Sequence, residues 1–210
     1  MFGVLNCSDP FAIENGNKMY DWVNQTLKEW SKDPSIVWTA TVQHHPMFSK
    51  WWADYLQITS NMMPMILDNK VDFYLNGHEH GHYYANYPYN QVHSLIRQLQ
   101  EQSMTKNHVL NSYNCLEDEE LFFGYNSRYS EFTKGEALHQ VTSGATGDDF
   151  TAACLNRPSM GRFRFMNNKQ HGFSHVQVDE RQFTVKIMGI DYNTMKSTEL
   201  YKVTVINPNA

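Results

Sequence analysis

Cysteine is scarce: the chain has three in 210 residues, Cys7, Cys115 and Cys154. Three thiols cannot all pair with one another, and they lie in separate segments with no Cys-x-x-Cys spacing, so cysteine usage leaves the redox compartment open. Positive charge is also short, with 17 Lys and Arg against 22 Asp and Glu for a formal charge of −5. That balance argues against a nucleic-acid partner, whose affinity rests on Lys and Arg contacting phosphates. No apolar run approaches the roughly 18 residues that a membrane span needs. No positively charged leader with an apolar stretch precedes the first residues, so no signal peptide is expected. What is present, 41% hydrophobic and 14% aromatic residues, is the composition of an ordinary globular chain of about one domain.

Histidine is concentrated rather than scattered. Five of the ten lie between positions 44 and 82, in Gln43-His44-His45-Pro46 and in Asn76-Gly77-His78-Glu79-His80-Gly81-His82. Each cluster stands where an apolar strand runs out, and the carboxyl ends of neighbouring parallel strands converge on one crevice, the usual ligand site of an open α/β sheet. Neutral imidazole is a good ligand for zinc, iron and related metals. Residues two apart on extended chain sit roughly 6–7 Å apart on one side. That separation suits two ions about 3.5–4 Å apart better than one, with Gly77 expected to supply the bend. As a bare pattern, His-x-His also suits histidines that cap a strand end on backbone.

Periodicity gives the architecture. Met19, Trp22, Val23, Leu27 and Trp30 recur at helical steps and Asp33-Pro34 ends the helix, while Asn6 to Asn17 reads as turn-rich. Ile36 to Val42 reads as a parallel strand covered on both faces. A short helix over Met62 to Asn69 then crosses to a strand marked by Val71, Phe73 and Leu75, a right-handed β-α-β unit. Beyond residue 170, Val176/Val178, Phe183/Val185/Ile187 and Val203/Val205 alternate as antiparallel strands. Between them, Val92, Leu95, Ile96 and Leu99 suit one more helix, and Glu117 to Glu120 with its polar surroundings suggests a mobile loop. Asn6-Cys7-Ser8 and Asn24-Gln25-Thr26 match the glycosylation acceptor pattern.

Several stretches together resemble the carboxyl-terminal half of a purple acid phosphatase of the small, tartrate-resistant type, within the calcineurin-like metallophosphoesterases. Thr41 to Ser49 is similar to that family's Val-x-Gly-His-x-Pro-x-x-Ser segment. Met62 to His80, ending in Gly-His-x-His, is similar to the segment that carries its last two ligands. Val141-Thr142-Ser143-Gly144-Ala145 and the tail from Phe173 to Val205 are similar to its closing strands. The resemblance covers most of positions 1 to 90 and 137 to 205 and implies a four-layer α/β/β/α sandwich. In this reading residues 1–210 are a partial domain, incomplete at its amino-terminal side, with an insertion at about 90–135.

The resemblance further implies phosphoric monoester hydrolysis by a dinuclear centre, Fe(III) plus a divalent ion of iron, zinc or manganese. In it His44 and His78 bind the divalent ion and His80 binds the ferric ion. His45 is then a rim histidine, and His82 has no family counterpart. A lysosomal, vacuolar or secreted location comes from the same source. Two departures stand against it. Ala53, after Trp51 and Trp52, occupies the place of a substrate-contacting histidine, leaving the general acid unassigned. The Asp-x-Gly, Gly-Asp-x-x-Tyr and Gly-Asn-His motifs that carry the other ligands do not occur, and two nearby cations without a bridging carboxylate repel one another. The expected protein is therefore an acid phosphatase fragment inactive by itself, with the missing amino-terminal half as a partner. The alternative is a non-catalytic scaffold or binding protein that retains the fold.

Overall fold

The structure, a computed structural model, describes residues 10–48, 56–91, 94, 97, 115–116, 120–122, 128–147, 149–150, 153–154 and 162–210. Its first helix, α1, spans Pro10–Trp30, so the stretch expected to be turn-rich is helical from Pro10 onward. Proline is favoured in the first helical turn because its fixed φ suits the helix and its missing N–H has no partner to lose there. The buried stripe also differs from expectation. Leu27 is buried with Tyr20 and Val23 packed beside it, whereas Met19, Trp22 and Trp30 are exposed.

Strand β1 (Ala40–Gln43) follows, then α2 (Leu56–Asp68) and β2 (Phe73–Asn76). β1 and β2 pair in parallel, Ala40 opposite Phe73 and Gln43 opposite Asn76, which is the expected β-α-β unit. The crossing helix starts earlier than Met62 and runs through Pro64. The lost backbone donor at Pro64 is offset by burial of Met62, Met63, Ile66 and Leu67 against the sheet.

β3 (His82–Pro88), β5 (Glu120–Phe122), β7 (Ala137–Ser143) and β9 (Phe163–Asn167) complete a six-stranded sheet in the order β1-β2-β7-β3-β9-β5. A second sheet, in the order β10-β11-β12-β6, contains β6 (Tyr129–Thr133), β10 (Gly172–Val178), β11 (Gln182–Asp191) and β12 (Lys196–Ile206). β10 to β12 are antiparallel as the alternation predicts. The stretch expected as a loop supplies β5 to one sheet and β6 to the other, with Arg128 forking onto both oxygens of Glu120 at 2.9 and 3.0 Å. A separate pair, β4 (Cys115–Leu116) and β8 (Ala153–Cys154), sets Cys115 opposite Cys154 in backbone register. The helix expected near Val92 and Leu99 lies largely outside the described residues.

Apolar side chains from the two sheets meet face to face. Phe73, Tyr84, Val141 and Phe165 of the first pack on Phe183, Val185, Ile187, Tyr201, Val203 and Val205 of the second. The helices cover the first sheet's other face through Met63, Ile66, Tyr74, Tyr83 and Tyr87. Helix, sheet, sheet is the order of three layers of the expected sandwich. β1 is not enclosed as expected, because it is the outermost strand among those described: Val42 is 80% exposed although Ala40, on the same face, packs into the inter-sheet core. Val176 and Val178, opposite Val185 and Phe183 in register, are exposed at the corresponding end of the second sheet. The Trp38 indole donates to the Asp179 carbonyl at 2.6 Å and ties these two sheet ends together.

His139 of β7 is enclosed between Phe73, Phe132 and Tyr84, its Nδ1 2.8 Å from the Tyr84 hydroxyl. Burial lowers its pKa from 6.5 to about 3. Above the ordinary value the ring is neutral in both folded and unfolded chains. Below it the unfolded chain takes up a proton that the folded chain refuses, so stability falls with pH by up to about 1.4 kcal/mol per unit over that interval. Urea midpoints should therefore drop on acidification from about pH 7 to about pH 5. His139→Phe should be less stable at neutral pH, having lost the Tyr84 contact, yet lose less on acidification. Equal acid losses in the two proteins would show that His139 is not the buried titrating group.

Candidate functional site

The parallel pairing of β1 and β2 continues one step past the strands, where the Gly77 N–H donates to the His44 carbonyl at 3.0 Å. That bond fixes the two histidine-bearing turns side by side. Behind them, the Tyr74 hydroxyl reaches both the Gln43 side-chain oxygen at 2.8 Å and the His45 carbonyl at 2.7 Å. Burial pushes the Tyr74 phenol well above its ordinary pKa, so it remains a donor. Gln140 of β7 holds the end of the first turn, donating to the Phe48 carbonyl at 2.7 Å and accepting from the Phe48 N–H at 3.2 Å.

His78 turns back over this framework with φ of 63°. A non-glycine residue in that region costs about 1–2 kcal/mol, and such strain concentrates at functional positions. The bend expected at Gly77 is thus made by His78 itself. His78 Nδ1 faces His44 Nε2 at 3.0 Å, and its ring lies 4.2 Å from that of His45. Ligand atoms of His44, His45 and His78 all fall within 4.8 Å of one another. Removal from water, then proximity to His45, His44 and His80, lowers the pKa of His78 from 6.5 to about 4. Removal from water and the neighbouring His44 lower His45 as well. Both rings are neutral near pH 7, the form in which imidazole binds metals.

His80 is placed differently. Its Nδ1 lies 2.7 Å from the Asp149 carbonyl oxygen, which can only accept, so this nitrogen carries a proton and any coordination falls to Nε2. His80 is not in the group formed by His44, His45 and His78. His82 is fully buried on β3, 3.2 Å from the Ser143 hydroxyl. Ser49, Trp51, Trp52 and Ala53 lie outside the described residues.

Two supporting residues were not legible from motif spacing. Glu79, between the two histidines, is 1% exposed, and its Oε2 accepts from the Tyr83 hydroxyl at 3.0 Å. The pattern Glu-x-x-x-Tyr at the start of a strand was its only trace in the sequence. Gly144 is the other. A Cβ there would stand 2.1 Å from the Glu79 carbonyl oxygen, while its N–H donates to Gly81 at 3.0 Å. No other residue lets the loop after β7 close against the His78–His80 turn.

No family model matches the sequence, and no curated protein matches it. Solved structures do match the fold. A purple acid phosphatase, PPD1, from yellow lupin (Lupinus luteus) seeds superposes with a TM-score of 0.52 at 10% identity, covering 90% of this chain and 28% of that one. PhoD superposes with a TM-score of 0.50 at 9% identity, covering 89% and 32%. GAP50, the anchor in the inner membrane complex of Plasmodium, gives 0.49 at 12% identity, covering 88% and 42%. The chain thus shares a mixed α/β, two-sheet fold with the purple acid phosphatase and PhoD structures and spans under half the length of the three. Among the described residues no helix is long and apolar enough to cross a membrane.

Gly144→Ala tests whether the close approach of this loop shapes the site. Forcing a methyl against the Glu79 carbonyl should cost about 1–3 kcal/mol in denaturant unfolding. It should also shift the ring resonances of His78 and His80 while leaving exposed His175 unchanged. Wild-type stability together with unshifted resonances would mean that the loop yields freely.

Proposed function

We propose that this chain is part of a metal-dependent phosphoric monoester hydrolase of the acid phosphatase kind, inactive by itself. The observation that carries the reading is the approach of His44 Nε2 to His78 Nδ1 at 3.0 Å, at the carboxyl ends of adjacent parallel strands, in a fold shared with a purple acid phosphatase structure. The tautomer of His80 supports its inclusion as a third metal ligand of the completed enzyme, since the Asp149 carbonyl holds Nδ1–H and leaves Nε2 as the coordinating atom. The substrate is a phosphomonoester. The position of β1 as the outermost strand of its sheet among the described residues, with Val42 exposed on it, supports a further segment of the domain as the partner that completes the sheet. Because β1 leads directly into His44, a strand added there in parallel delivers its own carboxyl-end side chains to the crevice.

The residues described here do not fit a dinuclear centre containing ferric ion. Their one group of three or more candidate ligands is all imidazole, without the oxygen anions that a hard cation favours or a carboxylate to bridge two charges. With His45 and His78 held neutral, little positive charge faces a phosphoryl group. Negligible turnover by the chain alone follows. The lack of a carboxylate in that group favours a second reading, a scaffold that keeps the fold without the chemistry, and the convergence of its imidazoles opposes it.

Hydrolysis of p-nitrophenyl phosphate with added iron and zinc distinguishes these. The chain alone should stay at background. A longer polypeptide that completes the domain should turn the ester over and lose that activity in His78→Ala. Robust turnover by the chain alone, abolished in His78→Ala, would overturn the fragment reading. A completed, folded domain with no turnover would overturn the hydrolase reading and leave the scaffold.

A further inference from the structure

We infer that in this chain by itself His44, His45 and His78 bind a single borderline divalent cation such as Zn²⁺, with His45 as a ligand and His80 left for the centre of the completed enzyme. Three imidazoles from two turns converge here, with ring centroids 4.2, 4.8 and 4.9 Å apart. Zinc–nitrogen bonds of about 2.0–2.1 Å in a tetrahedral site place ligand nitrogens roughly 3.3 Å from each other. The His44–His78 pair is already at 3.0 Å, and the whole group falls within 4.8 Å, so small side-chain rotations close the site. Two ring nitrogens that face each other share either one proton or one cation. A trio of imidazole nitrogen donors suits Zn²⁺, Ni²⁺ or Cu²⁺ better than Mg²⁺, Ca²⁺ or Fe³⁺. The left-handed backbone at His78 and the Tyr74 bond to the His45 carbonyl hold the rings in this arrangement.

The resemblance of the first motif to phosphatases assigns His45 no ligand role, so this ligand set distinguishes the present site from the one that the motif implies. It does not depend on phosphoester chemistry. The test is calorimetric titration of the full chain with Zn²⁺ and visible absorption with Co²⁺, whose band intensity reports tetrahedral nitrogen ligation. One ion per chain is expected. His45→Ala should weaken Zn²⁺ binding by at least about tenfold and weaken the Co²⁺ bands, while His175→Ala, at an exposed histidine of the second sheet, leaves both unchanged. His45→Gln repeats the measurement if the alanine variant does not fold. Two ions per chain, or a loss in His80→Ala with none in His45→Ala, would overturn the assignment and leave the hydrolase reading standing. Failure of the hydrolase reading, conversely, leaves the titration unaltered.

Discussion

Parallel pairing between Ala40–Gln43 and Phe73–Asn76 is the constraint on which the rest of the site depends. It is pinned at both ends. At the amino end, Asp72 accepts from the Thr39 N–H at 3.0 Å, a buried carboxylate whose pKa burial pushes up and the bonds to Thr39 pull down. At the carboxyl end, Gly77 donates to His44. A slip of one residue would turn every side chain of β1 to the opposite face, moving Ala40 out of the inter-sheet core and separating His44 from His78.

The packing around this pair fixes the turns as well as the strands. Tyr74 and Tyr83 point from the sheet into the layer beneath the helices, and each carries a hydroxyl that ends on the site's framework. Phe48 stacks on Tyr87 with ring centroids 3.9 Å apart, while Gln140 satisfies both of its backbone groups. Buried polar groups that are fully bonded hold one arrangement, because each lost partner exposes an uncompensated dipole. The histidine turns are therefore anchored from within the core, although His44 itself is exposed.

Strand and helix identity were legible wherever periodicity was strong. Val71, Phe73 and Leu75 marked β2, and the alternation through Phe183, Val185 and Ile187 marked β11, because those residues face a packed layer. Residues 10–17, 120–122 and 129–133 were not, since polar side chains hide a helix start and edge strands whose pairing is set by distant neighbours. Exposure of Val42 was equally hidden: a strand's own sequence does not record what lies beside it. The meeting of His44 and His78 followed from their positions at adjacent strand ends. His45 as part of the group, Glu79 behind it and Gly144 against it did not, because each depends on the left-handed turn at His78 and on contacts with β7 or β3.

Where a cation sits tests the ligand set of this site most directly. Crystals of the chain grown with Zn²⁺, with anomalous diffraction measured at the zinc edge, should show one peak within bonding distance of His44, His45 and His78. A pair of peaks about 3.5–4 Å apart with His80 bound to one of them, or density with these imidazoles turned to different surfaces, would contradict it.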